Sequence, residues 1–273
     1  MTNLSPQDFA DLQSAAAKLE ARSFAMTVAA KVGMPVEALL RMLPARAQDS
    51  IGGAVTKALN QCLHVAVNLG NSNSASIRSK RAHTITTAVT GAVGGFFGLP
   101  GLVVELPLTT TVMLHSIAEI ARREGEDLAN PDSAFACLQV LALGPEGAPG
   151  EALDSAYYAT RAALAQVTRD AAAYVAQKGM AKEGAPALVS FLAKIAARFG
   201  LEVSEKAAAQ LIPVAGAAGG LALNVLFTDH FQRLAEGHFT IRRLERKYGA
   251  DLVRQQYDIA RPNPVGSHQR SGS

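Results

Sequence analysis

Apolar residues recur along most of this chain at intervals of three and four, the spacing of one helix face. No stretch sustains the period-two alternation of a half-buried strand. The pattern predicts an all-α multi-helix bundle of roughly eight to ten helices. Ser5, Pro6 and Asp8 form a start signal: a hydroxyl cap, a proline at the first helical position, and an acid at the positive end of the dipole. Phe9, Leu12, Ala16 and Leu19 supply that helix with an apolar face, and Gly33 with Pro35 closes it. A short helix over 36–43 stops at Pro44, and the next, over 47–69, puts Ile51, Val55, Leu59 and Cys62 on one stripe. Gly70 to Ser74 is a loop by composition.

The pattern then changes. From Thr84 to Val104 the chain carries no charge, long enough to cross a bilayer, yet Gly91, Gly94, Gly95, Gly98, Pro100 and Gly101 interrupt it. A second charge-free run, Ala207 to Thr228, is broken in the same way by Pro213, Gly216, Gly219 and Gly220. These breakers predict two Gly/Pro-broken apolar helical hairpins, the first bent at Pro100 and Pro107. Small residues four apart (Gly91/Gly95, Gly94/Gly98, Gly216/Gly220) leave flat strips against which another helix can pack closely. An amphipathic helix over 107–124 follows the first run. Beyond it the spacing predicts helices over 131–143, 151–177, 186–199, 204–212 and, after Gly249, 251–257. The most flexible link is GPEGAPG at 144–150.

The ends of the two long units match. Arg122-Arg123-Glu124-Gly125-Glu126-Asp127-Leu128 aligns with Arg246-Lys247-Tyr248-Gly249-Ala250-Asp251-Leu252: two basic residues, one variable residue, then Gly-x-Asp-Leu. The same offset places Glu105 on Asp229 and Leu102 on Leu226. An internal duplication and a coincidence of two helices with glycine C-caps both account for this.

Composition supports helices and narrows function. Ala is the dominant apolar residue and Trp is absent, which favours close helix packing. A net charge of +3 with few aromatics gives no footprint for nucleic acid. Cys62 and Cys137 lie far apart in apolar helical contexts and are expected as buried free thiols of a reducing compartment. The polar, acidic N-terminus is not a signal peptide. Arg78, Lys80 and Arg81 form a basic collar ahead of the first apolar run. It is either a solvated helix face or a contact for anionic lipid headgroups.

No P-loop, dinucleotide fingerprint, zinc helix, paired Cys-x-x-Cys or Gly-x-Ser-x-Gly elbow occurs, and no cofactor or metal is expected. The polar candidates are Glu105, His115, Glu119, Asn224, Asp229, His230 and His238. Carboxylates within or beside apolar runs are costly unless paired, so Glu105 and Asp229 are expected to cap the helices that follow them or to pair with a core cation such as Arg233 or Lys194. Asn224 needs a partner if buried. His115 and Glu119, four apart, fit an ion pair more simply than a metal pair.

Several motifs resemble one family. GFFGLPG at 95–101, Glu105-Leu106-Pro107, Ala-Glu-Ile-Ala at 118–121 and Gly-x-Asp at 125–127 look like the EcsC protein family. So do Ile212-Pro213, Gly216-Ala217, Asn224 and HFTIRRLERKYG at 238–249. The resemblance spans roughly 45–255, with Glu105 where the family usually has Asp and Glu124 where an aromatic is common. It implies a bacterial protein, intracellular or membrane-associated, of a family named for a gene beside an ABC transporter and without an agreed activity. Some members carry a peptidase label, for which this chain shows no motif.

The chain is therefore divided into N-terminal helices (1–44), an EcsC-like helical domain (45–258) and a disordered polar tail (259–273). The leading expectation is a non-enzymatic accessory or regulatory protein, cytoplasmic or peripheral on the inner face of the cytoplasmic membrane. Its partners would be a membrane surface, an apolar ligand, or a transporter or other protein. Phe96, Phe97, Leu99, Leu102, Leu226, Phe227, Arg78, Lys80 and Arg81 are the expected contacts with the membrane or ligand. The alternative is a peptidase-like hydrolase with a carboxylate/His site of Glu105, His115, Glu119 and Asp229. Convergence of those four side chains would favour the alternative.

Overall fold

A computed structural model describes residues 4–69, 98–144, 155–179, 184–211 and 216–261. All regular structure among them is helical. The helices are α1 (Pro6–Leu19), α2 (Phe24–Val32), α3 (Val36–Arg41), α4 (Ala45–Val67), α5 (Gly98–Arg123), α6 (Pro131–Gln139), α7 (Ala156–Lys178), α8 (Pro186–Gln210), α9 (Gly216–Tyr248) and α10 (Ala250–Ala260). A 3₁₀ turn over Val140–Ala142 extends α6.

Local chemistry explains most of the boundaries. The Ser5 hydroxyl accepts the Asp8 N–H at 3.2 Å with Pro6 just inside α1, as the start signal predicts. The first helix does not, however, run through to Gly33. Ser23 caps a new start by accepting the Met26 N–H at 3.2 Å. The chain turns there so that Phe24 meets Phe227 edge-on, ring centroids 5.2 Å apart. A left-handed Gly33 (φ +72°) then ends α2.

Two expected breaks are absent. Pro107 lies inside α5 rather than interrupting it. Its missing N–H removes one ladder bond, while the Thr110 and Thr111 hydroxyls donate to the Leu106 and Pro107 carbonyls at 2.7 and 2.8 Å. Pro100 falls in the first described turn of α5. Likewise α8 passes through Gly200. Ser204 donates to the Gly200 carbonyl at 2.8 Å instead of capping, and Phe199, Val203 and Ala207 continue one buried stripe. Residues 91–97, 212–215, 145–150 and 262–273, where other breakers, most of the flexible link and most of the tail were expected, lie outside the described residues.

The core forms where α4, α5, α8 and α9 pack on one another, with α6 and α7 covering α4 and α8, and α1 and α10 covering α9. Contacts between α5 and α9 show them to be parallel: Asn224 meets Glu105, Gln232 meets Ser116, and Arg242 meets Glu126. Left-handed glycines follow both helices at the same end, Gly125 at φ +82° and Gly249 at φ +88°. In contrast, α1 runs antiparallel to α9 and is clamped there by charge. Asp8 takes Lys247, Arg243 and Tyr248, and Arg243 also reaches Asp11 and Glu124.

Candidate functional site

The most unusual chemistry in the bundle lies where α5, α8 and α9 meet. On α8, Glu202, Lys206 and Gln210 follow one another at intervals of four, so a polar line runs beside the apolar stripe of Phe199 and Val203. Lys206 is fully buried. Its ammonium lies 3.7 Å from Glu105 Oε1 and 4.9 Å above the Phe227 ring. That separation suits an ion pair but is too long for a hydrogen bond, and Lys206 Nζ has no hydrogen-bond acceptor among the described residues. Glu105 is held by donors from two helices: Asn224 Nδ2 at 2.8 Å across the α5–α9 contact, and Thr109 Oγ1 at 3.1 Å one turn along α5. Burial pulls the Lys206 pKa down from its ordinary value, and the Glu105 carboxylate partly opposes that fall.

A second group adjoins it on α8. Glu202 and Glu205 sit three residues apart. Burial, then the neighbouring Glu205 charge, pushes Glu202 up to about 8. Burial pushes Glu205 up to about 7, against the backbone N–H it accepts. That N–H belongs to Ala25, at 3.2 Å, so Glu205 sits at the N-terminus of α2. His230 of α9 places Nε2 3.8 Å from Glu202 Oε1. Burial and then the Arg233 charge lower the His230 pKa to about 4, so the ring is neutral at neutral pH and this contact is not an ion pair. Lys206 Nζ, Glu202 Oε2, Gln210 Oε1, Asn224 Oδ1 and His230 Nε2 are all buried without a hydrogen-bond partner among the described residues. So many unsatisfied groups in one region mark a site able to hold water or a proton.

A third polar centre joins α7 to α9. Tyr157 OH lies 3.0 Å from His238 Nδ1, and Arg161 reaches Tyr157 OH at 3.2 Å while gripping Glu245 through two bonds of 2.7 and 3.0 Å. His238 is fully buried, and desolvation followed by Arg161 and Arg242 holds its pKa well below the usual value. The two thiols are free and buried, with burial raising both Cys62 and Cys137 to about 12, so neither is a ready nucleophile.

The four residues of the hydrolase alternative occupy separate places. Glu105 is paired with Lys206. On the same helix, His115 and Glu119 lie about 15 and 21 Å further along at 1.5 Å per residue. Asp229 is 56% exposed and pairs with Arg233 one turn away at 3.6 Å. Neither acid caps a helix: Glu105 lies two turns inside α5, and Asp229 lies well inside α9. Among the expected apolar contacts, Leu102 and Phe227 are core residues and Leu226 is half-buried against the core. Phe96, Arg78, Lys80, Arg81 and Phe97 lie outside the described residues, as does the Leu99 side chain. No group of three or more His, Cys, Asp or Glu suited to a metal occurs among the described residues.

The sequence pattern does not single out Lys206 or Glu202, and Glu205 falls at the start expected for the helix over 204–212. The signal that would find them is a line of charged residues four apart in register with buried aromatics.

A family model, that of the EcsC protein family, matches residues 7–244, which includes the N-terminal helices as well as the central ones. No curated protein and no solved structure matches the chain.

Proposed function

Because the chain belongs to the EcsC protein family, we propose that it acts as a helical accessory or regulatory protein peripheral to a membrane surface, not as a hydrolase. The observation that carries this reading is the exposed apolar face at the start of two neighbouring parallel helices. Val104 is 81% exposed and Leu108 40% on α5, while Val225 is 60% exposed on α9, beside the Glu105–Asn224 contact that sets the two helices level. Residues 101–123 of α5 are long and apolar enough to cross a bilayer, yet only 44% of the apolar window is buried in the bundle. The buried side of that helix, including Leu106, Met113, Leu114 and Ile117, belongs to the core. Attachment through the outward side leaves the core intact, whereas spanning would strip it from α4 and α9.

Phe96, Phe97, Leu99 and the basic residues Arg78, Lys80 and Arg81 precede this face in sequence and enter the proposal from sequence alone. Basic residues near an anionic surface contribute about 1 kcal/mol each. A cytoplasmic-face location and a transporter as protein partner follow the family resemblance. Two Gly/Pro-broken hairpins related by duplication would give the protein two equivalent apolar ends, a reading supported by the parallel α5 and α9 and their matched terminal glycines.

Flotation with vesicles of phosphatidylglycerol and phosphatidylcholine tests the reading. The protein should float with anionic vesicles, resist neutral ones, and be released by carbonate. Val104→Glu with Val225→Glu should weaken binding by about tenfold or more per site, from ~1.5 kcal/mol for burying each valine. Absence of flotation at low salt would overturn membrane association, and retention after carbonate would overturn the peripheral mode.

A further inference from the structure

Attachment of lipid to the face formed by Val104, Leu108 and Val225 leaves the charge of Glu105 to be explained. Glu105 follows Val104 and precedes Leu108 by three residues on α5, and it accepts Asn224 Nδ2 of α9 at 2.8 Å, beside Val225. Its carboxylate therefore lies in the seam between the exposed valines of the two helices, and its side chain keeps 18% exposure. Asp229, one turn beyond Val225, is different. It is more than half exposed and pairs with Arg233, so it bounds the apolar face on that side.

A lipid phase pressed onto this face takes the remaining water from Glu105. A carboxylate that leaves water without a cation beside it loses its hydration uncompensated, whereas a preformed ion pair carries no net charge into the apolar phase. Here the cation comes from beneath. Lys206 of α8 is fully buried, with Nζ 3.7 Å from Glu105 Oε1 and 4.9 Å above the Phe227 ring. This ammonium lost its water when the bundle folded, so docking removes none from it.

We propose that Lys206 is the internal counter-ion that lets Glu105 enter a lipid phase, so that the α5–α9 seam docks on a membrane as a neutral surface. The inference rests on the membrane reading and adds the group that makes the seam compatible with lipid. Thr109 and Asn224 assist: their bonds to Oε1, at 3.1 and 2.8 Å, hold that oxygen toward Nζ and persist when the surrounding water is gone. The other lysine and arginine side chains of α8 and of the first half of α9 are engaged or exposed elsewhere. Arg233 is turned to Asp229, Arg198 donates to the Gly144 carbonyl at 2.9 Å, and Lys194 is exposed.

Flotation with phosphatidylglycerol–phosphatidylcholine vesicles tests the counter-ion, with circular dichroism to establish that each variant is helical. Lys206→Met should bind about tenfold more weakly than wild type or worse, because Glu105 then enters lipid uncompensated. Glu105→Gln/Lys206→Met carries neither charge and should bind as wild type does, or more tightly. Lys194→Met removes the same net charge from an exposed position and should weaken binding less than Lys206→Met, which separates the seam from attraction of the whole protein to anionic lipid. Equal flotation of wild type and Lys206→Met would overturn the counter-ion and leave membrane attachment standing, whereas wild type that fails to float overturns both. Equal weakening by Lys194→Met, or a double variant no better than Lys206→Met, would also overturn the counter-ion. Should Lys206→Met not fold, solid-state NMR of wild type on the same vesicles decides. Dipolar coupling between Lys206 Nζ and the Glu105 carboxyl carbon should persist as in the free protein, and its loss on docking would overturn the proposal.

Discussion

Glu105→Gln leaves the Lys206 ammonium facing a neutral amide at the junction of α5, α8 and α9. In the wild-type protein the cation is fully buried, 3.7 Å from a carboxylate whose own side chain keeps 18% exposure. Removing one partner of a buried ion pair typically costs about 3–5 kcal/mol, because the remaining charge loses its compensation. Partial exposure of Glu105 lets water screen the pair, which places the expected loss near the lower end, ~3 kcal/mol. That exceeds the ~0.5–2 kcal/mol of a lost helix cap, the role its sequence position suggests. Lys206→Met should cost less, about 1 kcal/mol, since Glu105 keeps its bonds from Asn224 and Thr109. The double variant Glu105→Gln/Lys206→Met removes both charges and should approach wild-type stability or exceed it. Urea denaturation of all four proteins at pH 7 closes the cycle.

The pH dependence provides an independent check. Burial already lowers the Lys206 pKa from 10.5, and without Glu105 nothing opposes that fall, so the folded variant binds fewer protons than its unfolded chain. Its stability then rises with pH, and its deficit against wild type narrows between pH 7 and 10. Single effects that add to within ~0.5 kcal/mol, or a deficit that ignores pH, would refute the reasoning.

Three further outcomes are expected. A Cβ at Gly237 would sit 2.7 Å from Leu19 Cγ and 3.0 Å from the Ala15 carbonyl, where α1 crosses α9. Gly237→Ala should thus lose ~1 kcal/mol net, overpacking of about 1–3 less a helix gain of about 0.8–1.0, and a Tm that stays level or rises would contradict the close approach. Although burial raises it, Glu126 is held down to about 2 by bonds from Arg242 and Ser133. Its stabilisation is present above its ordinary value of 4.5 and is lost as pH falls from there toward 2. Arg242→Met should cost ~2 kcal/mol at pH 7, since Glu126 keeps Arg246 and Ser133, and less at pH 4, as read by denaturant melts. Asp229→Asn should change stability by less than ~0.5 kcal/mol, since its pair with Arg233 is solvent-exposed; a larger shift in the thermal melt would show that Asp229 does more than its contacts indicate.

What the sequence determined by itself is what depends on neighbours within a turn or two. Helical period, the Ser5–Pro6–Asp8 start and the glycine stops at Gly33, Gly125 and Gly249 act over three to five residues, so they stand in the structure where the pattern puts them. The family motifs were equally legible, being contiguous strings. The all-α class followed because no strand alternation competes with that period.

Tertiary structure decided the rest. Whether α1 continues past Leu19 depended on the Phe24 contact with Phe227, and whether α8 breaks at Gly200 depended on the buried stripe that runs through it. The pairing of Asn224 with Glu105 spans 119 residues, and no local rule selects it. Lys206 looks, in sequence, like any solvated lysine near the end of an Ala-rich helix. Only the packing of α5 and α9 against α8 removes its water and leaves Glu105 to balance its charge. Desolvation is a property of the assembled bundle, and both the ion pair and the carboxyl pair arise from it.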